Sequence, residues 1–328
     1  MHETFDAAGE ERQSFDVSSQ SVRERVTSRD GASSELRLFR ATEESAPVAF
    51  VIPAMGTAAG YYDKLGVALA KRGVHAALFE LRGLGTSSLR ASRETDFGYG
   101  TIIEQDIPAA IDRVRAHLPH APLFLLGHSL GGHLAFLALA RGQIGAARGV
   151  ALVASGLPFY EAWSGVRNLG IRVFARFMAT TAGVLGHYPG ERFGFAGREA
   201  RTIVSEWAHA VRTGEFSLPT WTGDAPPDEA LAGVDCPVLA VSLARDKLAP
   251  RRSTELLLAK VPRCRVTRIR YEPAADLPEA AGNHNRWPRY PDAIAAKVAE
   301  WMLTLSHPER ETAQGPRSPE SDARHSPS

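Results

Sequence analysis

Ser129 stands in Gly127-His128-Ser129-Leu130-Gly131, a serine flanked by glycines two positions away on each side. Before it runs an apolar stretch, Leu123 to Leu126, with the length and character of a short buried strand. After it, Gly132 to Arg141 carries an Ala-rich helical pattern. A strand, a glycine-flanked serine and a helix form the context of a nucleophile elbow, in which the serine hydroxyl projects from a sharp, strained turn. Side chains at the flanking positions would collide with the strand and the helix, so glycine is needed there. The helix begins at the serine, where free N–H groups and the positive end of the dipole favour a developing oxyanion. For the pentapeptide alone, the alternative is a glycine-rich turn whose serine only caps the helix.

A serine nucleophile needs a base and an acid to orient it. Asp246 follows the apolar run Pro237-Val-Leu-Ala-Val-Ser-Leu243, and His284 lies in the loop between the last strand, Arg265 to Tyr271, and the last helix, Tyr290 to Leu305. Of the eleven histidines, His284 alone sits after the last strand and before the last helix. His128 is read as a packing residue of the elbow, His133 lies a helical turn further on, and His187 and His209 belong to a different region. Glu272 and Asp276, on the loop after the last strand, are alternatives to Asp246 as the acid. Asp235 precedes its strand and is expected at the opposite edge of the sheet.

The elements that must position these groups alternate. Strands are expected at Glu35–Arg40, Pro47–Ile52, Val74–Leu81, Leu123–Leu126, Gly149–Ala154, Pro237–Leu243 and Arg265–Tyr271, with a weaker edge strand within Ser21–Arg29. Helices are expected at Tyr61–Arg72, Ile102–His117, Gly132–Arg141, Ser253–Lys260 and Tyr290–Leu305. The fold class is α/β: a mostly parallel central sheet flanked by helices. Sites in such sheets lie beyond the C-terminal strand ends, so Ser129, Asp246 and His284 converge on one edge. Residues 157–235 break the alternation. They carry two helical stretches, Val166–Val184 and Arg198–Arg212, and form an insertion too long for an ordinary loop. Their aromatics, Phe159, Tyr160, Trp163, Phe174, Phe177, Trp207 and Trp221, either form a core of their own or line an acyl pocket. The domain plan is therefore a disordered tail at 1–20, a core in two parts at 21–156 and 236–305, a helical cap at 157–235, and a disordered tail at 306–328.

Composition excludes several classes. A net charge of +1 makes no electrostatic case for nucleic acid or an anionic membrane. Cys236 and Cys264 are too few for a disulfide framework, lack zinc-ligand spacing and are expected as reduced, packed thiols. Arg82-Gly-Leu-Gly-Thr-Ser87 matches neither phosphate-loop pattern. Residues 1–20 have no apolar core of the kind a signal peptide needs, and no apolar run is long enough to span a bilayer, so stable membrane insertion is not expected and a cytoplasmic location is the default. Neither a metal cluster nor a cofactor fingerprint is found, and nothing bears on the oligomeric state.

In chain order the three groups run nucleophile, acid, histidine. With Pro53-Ala-Met-Gly56 before Tyr61-Tyr62, with Arg82 to Ser87, with Gly127 to Gly132, with Arg245-Asp246 before Ala249-Pro250, and with Gly282-Asn-His284, the chain resembles an α/β-hydrolase. The likeness covers residues 30 to 305 and falls on the lid-bearing branch that holds monoacylglycerol-lipase-like and lysophospholipase-like enzymes. Two positions depart from that pattern: Pro53-Ala54 replaces a His-Gly opening, and Asn283 stands where glycine commonly precedes the histidine. The resemblance implies that Ser129 is the nucleophile, His284 the base and Asp246 its orienting acid, and that the backbone N–H groups of Met55 and Leu130 form the oxyanion hole. It implies a serine esterase acting on a small-molecule ester of an apolar acyl group, without cofactor or metal. An acyltransferase or thioesterase using the same groups, and a non-catalytic binding module on the same fold, are the alternatives.

Overall fold

The computed structural model describes residues 21–306. The tails expected at 1–20 and, apart from Ser306, at 306–328 lie outside the described residues.

The chain begins with an antiparallel pair, β1 (Ser21–Thr27) and β2 (Ser33–Phe39), which forms one edge of an eight-stranded sheet. Then follow β3 (Val48–Ile52), α1 (Asp63–Ala70), β4 (His75–Phe79), a short α2 (Tyr99–Thr101), α3 (Ile107–His117), β5 (Leu123–His128), α4 (Leu130–Arg141) and β6 (Gly149–Val153). Between β6 and the next sheet strand lie α5 (Gly165–Leu185), β7 (His187–Pro189), α6 (Gly190–Phe193), β8 (Arg198–Ala200), α7 (Arg201–Thr213) and α8 (Pro227–Ala232). The sheet resumes with β9 (Pro237–Leu243), α9 (Arg251–Leu258), β10 (Arg265–Tyr271) and α10 (Asp292–Ser306). Spatial order is β1-β2-β4-β3-β5-β6-β9-β10. From β4 to β10 every neighbour pair is parallel.

Every residue of β3, β4, β5 and β6 is buried, as strands covered on both faces require. On one face Ile107, Ile111, Leu134 and Leu257 of α3, α4 and α9 meet Phe50, Leu125 and Leu152. On the other, Leu65 and Leu69 of α1 and Ile294, Val298 and Met302 of α10 meet Val51, Phe124 and Leu126. At the far edge, β10 exposes Arg265, Thr267, Arg268 and Arg270.

Two expected helices differ in their starts. The helix expected at Ile102–His117 starts three residues earlier, at Tyr99, and widens into a π turn at Ile102–Asp106, because Pro108 has no N–H to offer the Glu104 carbonyl four residues back. The Arg198–Arg212 helix begins only at Arg201: residues 198–200 are held as β8 in an antiparallel ladder with β7, Tyr188 opposite Glu199. The segment between β6 and β9 has its own small core, in which Ala175, Met178 and Ala182 of α5 pack on Val204, Trp207 and Val211 of α7. The opposite side of α5 is apolar and exposed, with Val166 at 87%, Leu169 at 60% and Val173 at 59%. Among the described residues no helix is long and apolar enough to cross a membrane.

Candidate active site

β5 delivers Ser129 to the C-terminal edge of the sheet in a backbone conformation that side chains rarely adopt, φ +53° and ψ −118°. The neighbours explain how that conformation is held. A Cβ on Gly127 would strike Gly131 and Gly132, one on Gly131 would strike the Ile52 carbonyl at the end of β3, and one on Gly132 would strike the Ser155 hydroxyl. The turn is also bonded: Ser129 N–H donates to Val153 O at 3.2 Å, and the Ser155 hydroxyl donates to Ser129 O at 2.6 Å. Strain at this one residue is thus held by close packing on three sides.

Asp246 lies in the turn after β9 with its side chain fully buried. One carboxylate oxygen accepts from the N–H groups of Leu248 (2.8 Å) and Ala249 (2.9 Å). The other faces Nδ1 of His284 at 2.7 Å. A carboxylate only accepts, so Nδ1 carries the proton and Nε2 is left to accept. Nε2 lies 3.0 Å from Ser129 Oγ. The three residues expected from the sequence therefore hydrogen-bond in series. The rivals do not reach them: Glu272 is exposed and paired with Arg270, Asp276 is exposed, and Asp235 pairs with Arg265 at the other end of the sheet.

A second chain of hydrogen bonds, not anticipated from the sequence, runs beneath the first. Ala54 N–H donates to the Tyr62 hydroxyl at 3.0 Å, Tyr62 Oη lies 2.7 Å from His128 Nδ1, and His128 Nε2 lies 3.0 Å from the His284 carbonyl. Complete burial, then the nearby His284, hold the His128 pKa well below its ordinary value, so the ring is neutral. The carbonyl can only accept, which puts the proton on Nε2 and makes Tyr62 O–H the donor to Nδ1. Three loops are thereby tied together: the one holding Ala54 and Met55, the elbow, and the one holding His284. The sequence signal for this was an elbow histidine and a tyrosine pair, neither of which names its partner.

The loop of Met55 is fastened from two further sides. The buried Glu80 carboxylate accepts from Ala59 N–H at 3.0 Å and Thr86 N–H at 3.3 Å. Gly56, at φ +68°, packs so closely on Ala196 and Gly197 that a Cβ has no room. There the Glu199 carboxylate accepts from the N–H of Gly197 at 3.3 Å, while burial lifts its pKa to about 7. Glu206, on α7, accepts from Tyr99 N–H at 2.7 Å, and burial lifts its pKa to about 8. His133 is buried with Nε2 at 2.9 Å from Gly156 O, and burial lowers its pKa to about 4.

The aromatics of 157–235 divide. Phe174 and Tyr160 pack on the cluster containing Trp207, which Met55 also touches, whereas Phe159 and Trp221 pack on the main core. Phe177 stacks edge-on against Phe193 on the outer side, and Trp163 donates its ring N–H to Lys247 O at 3.1 Å. Cys236 and Cys264 are free thiols, side by side where β9 and β10 begin, with sulfurs 4.0 Å apart. Among the described residues no group of three His, Cys, Asp or Glu side chains is placed to hold a metal ion.

Comparison with solved structures finds the same fold widely. An esterase from Exiguobacterium antarcticum is 14% identical with a TM-score of 0.57, over 86% of this chain and 100% of its own. A monoacylglycerol lipase from Paleococcus ferrophilus is 14% identical with a TM-score of 0.53, over 82% and 98%. A thioesterase domain from the curacin biosynthetic pathway is 20% identical with a TM-score of 0.51, over 87% and 99%. A comparison with curated proteins gives no match. One family, described as serine aminopeptidase, S33, matches residues 43–212, from before β3 through nearly all of α7 and just over half of the chain. With that match laid over a parallel sheet and a strained serine at its edge, the chain belongs to the S33 family of α/β-hydrolases.

Proposed function

We propose that this hydrolase cleaves carboxylic esters of apolar acyl groups through an acyl-enzyme on Ser129. His284 Nε2 takes the Ser129 proton as Oγ attacks the carbonyl carbon, and returns it to the leaving oxygen. Asp246 keeps the ring in the tautomer that can accept and stabilises the imidazolium. The N–H groups of Met55 and Leu130 receive the oxyanion; losing one such donor commonly costs about 3 to 4 kcal/mol of transition-state stabilisation. Water then attacks the acyl-enzyme with His284 as base. Residues 157–235 act as the cap over this chemistry, and the apolar cluster against Met55 favours an apolar acyl group.

The observation that carries this reading is the pair of distances, 3.0 Å from Ser129 Oγ to Nε2 and 2.7 Å from Nδ1 to Asp246. The test is labelling by a fluorophosphonate with the modified peptide identified by mass spectrometry, alongside turnover of p-nitrophenyl esters of increasing chain length and an aminoacyl anilide. Wild type labels at Ser129 and turns over the esters. Ser129→Ala abolishes both, and His284→Ala lowers turnover by roughly 10⁴-fold or more. Faster cleavage of the anilide than of any ester would replace the ester reading with an aminopeptidase. Ester turnover that survives Ser129→Ala would end the reading altogether. An added alcohol separates hydrolysis from acyl transfer by the product formed.

A further inference from the structure

Beside His284 the surface opens into a cleft of about 850 Å³. Its walls come from three elements: Arg167 on α5, Arg245 and Lys247 on the turn that holds Asp246, and Arg286 with Asn285 on the loop that holds His284. Four exposed cationic residues thus line one slot in a chain whose formal net charge is only +1. Two acidic residues, Glu279 and Asp246, also line it. Glu279 is bound to Arg245 at 2.5 Å. Asp246 is buried, and both of its oxygens are occupied by Leu248 N–H, Ala249 N–H and the His284 ring. Among the described residues, Arg167, Lys247 and Arg286 have no acidic partner, so the slot keeps an uncompensated positive charge. Lys247 is fixed through its carbonyl by the Trp163 ring N–H, which anchors the start of α5 over the cleft.

Position gives that charge a role. In an acyl transfer to serine, the base returns its proton to the leaving group, so the leaving group departs past the imidazole. His284 is one of the residues that line the cleft, its side chain 8% exposed. Guanidinium forks and an ammonium spread over three elements match the several oxygens of a phosphate better than a single carboxylate.

We infer that the cleft between Arg167, Lys247 and Arg286 receives a phosphate-bearing leaving group, so that the substrates are acyl groups carried on a phosphorylated thiol or alcohol. This rests on the ester-hydrolase reading and names its substrate class. Ser129 forms the acyl bond, the carbonyl–sulfur or carbonyl–oxygen bond breaks, the His284 proton goes to the departing atom, and water later releases the acid. The phosphate itself is not cleaved.

Matched substrates with one acyl chain test it. Octanoyl-coenzyme A is compared with octanoyl-pantetheine, and 1-octanoylglycerol 3-phosphate with 1-octanoylglycerol, as the ratio of kcat/KM within each pair. The ratio is taken on one preparation, so loss of folded protein cancels. In wild type the phosphorylated member is favoured by roughly tenfold at low salt, and the preference shrinks as ionic strength rises. Preference in one pair only tells a phosphorylated thiol from a phosphorylated alcohol. Arg167→Glu with Arg286→Glu lowers the ratio by about five- to tenfold, while Arg192→Glu, which is exposed on α6 and away from the cleft, leaves it unchanged. Calorimetry of coenzyme A with Ser129→Ala gives an independent reading: binding that weakens with the two cleft variants supports the cleft even if no ester is cleaved. Ratios near one in both pairs, unmoved by salt or by the variants, overturn the inference and leave the ester reading intact. Lack of coenzyme A binding together with lack of turnover overturns it as well.

Discussion

The elbow and the segment between β6 and β9 are built on opposite terms. At the elbow almost every backbone and side-chain group has one possible neighbour. Glycines stand where a Cβ has no room, Ser129 is bonded at both its N–H and its carbonyl, and the elbow histidine and Tyr62 complete each other's hydrogen bonds. The intervening segment is looser. Its 21-residue helix α5 buries only Ala175, Met178 and Ala182 and turns Val166, Leu169 and Val173 to solvent. It carries two buried carboxylates, Glu199 and Glu206, whose ionisation burial opposes. A non-glycine residue, Ala196, sits at φ +60° against Gly56. Geometry that must hold to tenths of an ångström is enforced by exclusion, whereas the segment between β6 and β9 is held by fewer and partly titratable contacts.

The largest expected effect probes the tight side. Gly131→Ala drives a methyl into the Ile52 carbonyl, so the turn must shift; ester turnover falls by about 100-fold or more, and chemical denaturation reports a loss of about 2 to 3 kcal/mol. A matched pair of leucines measures the contrast directly. Leu125 is 0% exposed in β5 and Leu169 is 60% exposed on α5. Leu125→Ala costs about 2 to 5 kcal/mol and Leu169→Ala stays within about 0.5 kcal/mol. Equal costs would mean that α5 is packed against something in solution and would erase the comparison.

Tyr62→Phe comes next. It leaves the Ala54 N–H and His128 Nδ1 without partners, at a cost of about 1 to 3 kcal/mol. Because Ala54 adjoins Met55, kcat falls while KM changes little. A loss of stability with kcat unchanged would mean that the linkage only holds the fold together.

The smallest effect is in pH. Glu206 has its pKa raised by burial to about 8 from an ordinary 4.5, so its neutral form is the one the fold prefers. The stabilisation is complete below about pH 4.5 and is lost as pH rises through about 8; Glu199 follows the same course through about 7. Amide hydrogen exchange in 198–213, normalised for intrinsic rate, therefore quickens between pH 6 and 9 while the β5 amides hold steady. Glu206→Gln flattens the response. Equal change in both regions would show that the loosening is global.

Much of the fold was legible because its signals are local. The apolar runs at 47–52, 123–126 and 149–154 mark buried strands whatever surrounds them, and a glycine-flanked serine between a strand and a helix constrains the backbone at that point. The order of Ser129, Asp246 and His284 along alternating elements implied one edge of one sheet, and there the three side chains meet. The less legible parts were those in which a polar residue is defined by a partner far along the chain. Pro108 widened one helix into a π turn and the β7–β8 ladder delayed the start of another, and only the ladder needed a partner from elsewhere in the chain.

The sequence by itself determined the sheet-and-helix alternation, the serine elbow and the acid and histidine loops, since periodicity and steric room act within a few residues. Only the tertiary structure decided that His128 joins Tyr62 to the His284 carbonyl across 66 and 156 positions, that the two thiols are neighbours, that Glu199 and Glu206 are buried, and that four cations share one cleft. A hydrogen bond or a charge cluster depends on which atoms come within a few ångströms, and that is settled by the packing of elements, not by spacing along the chain.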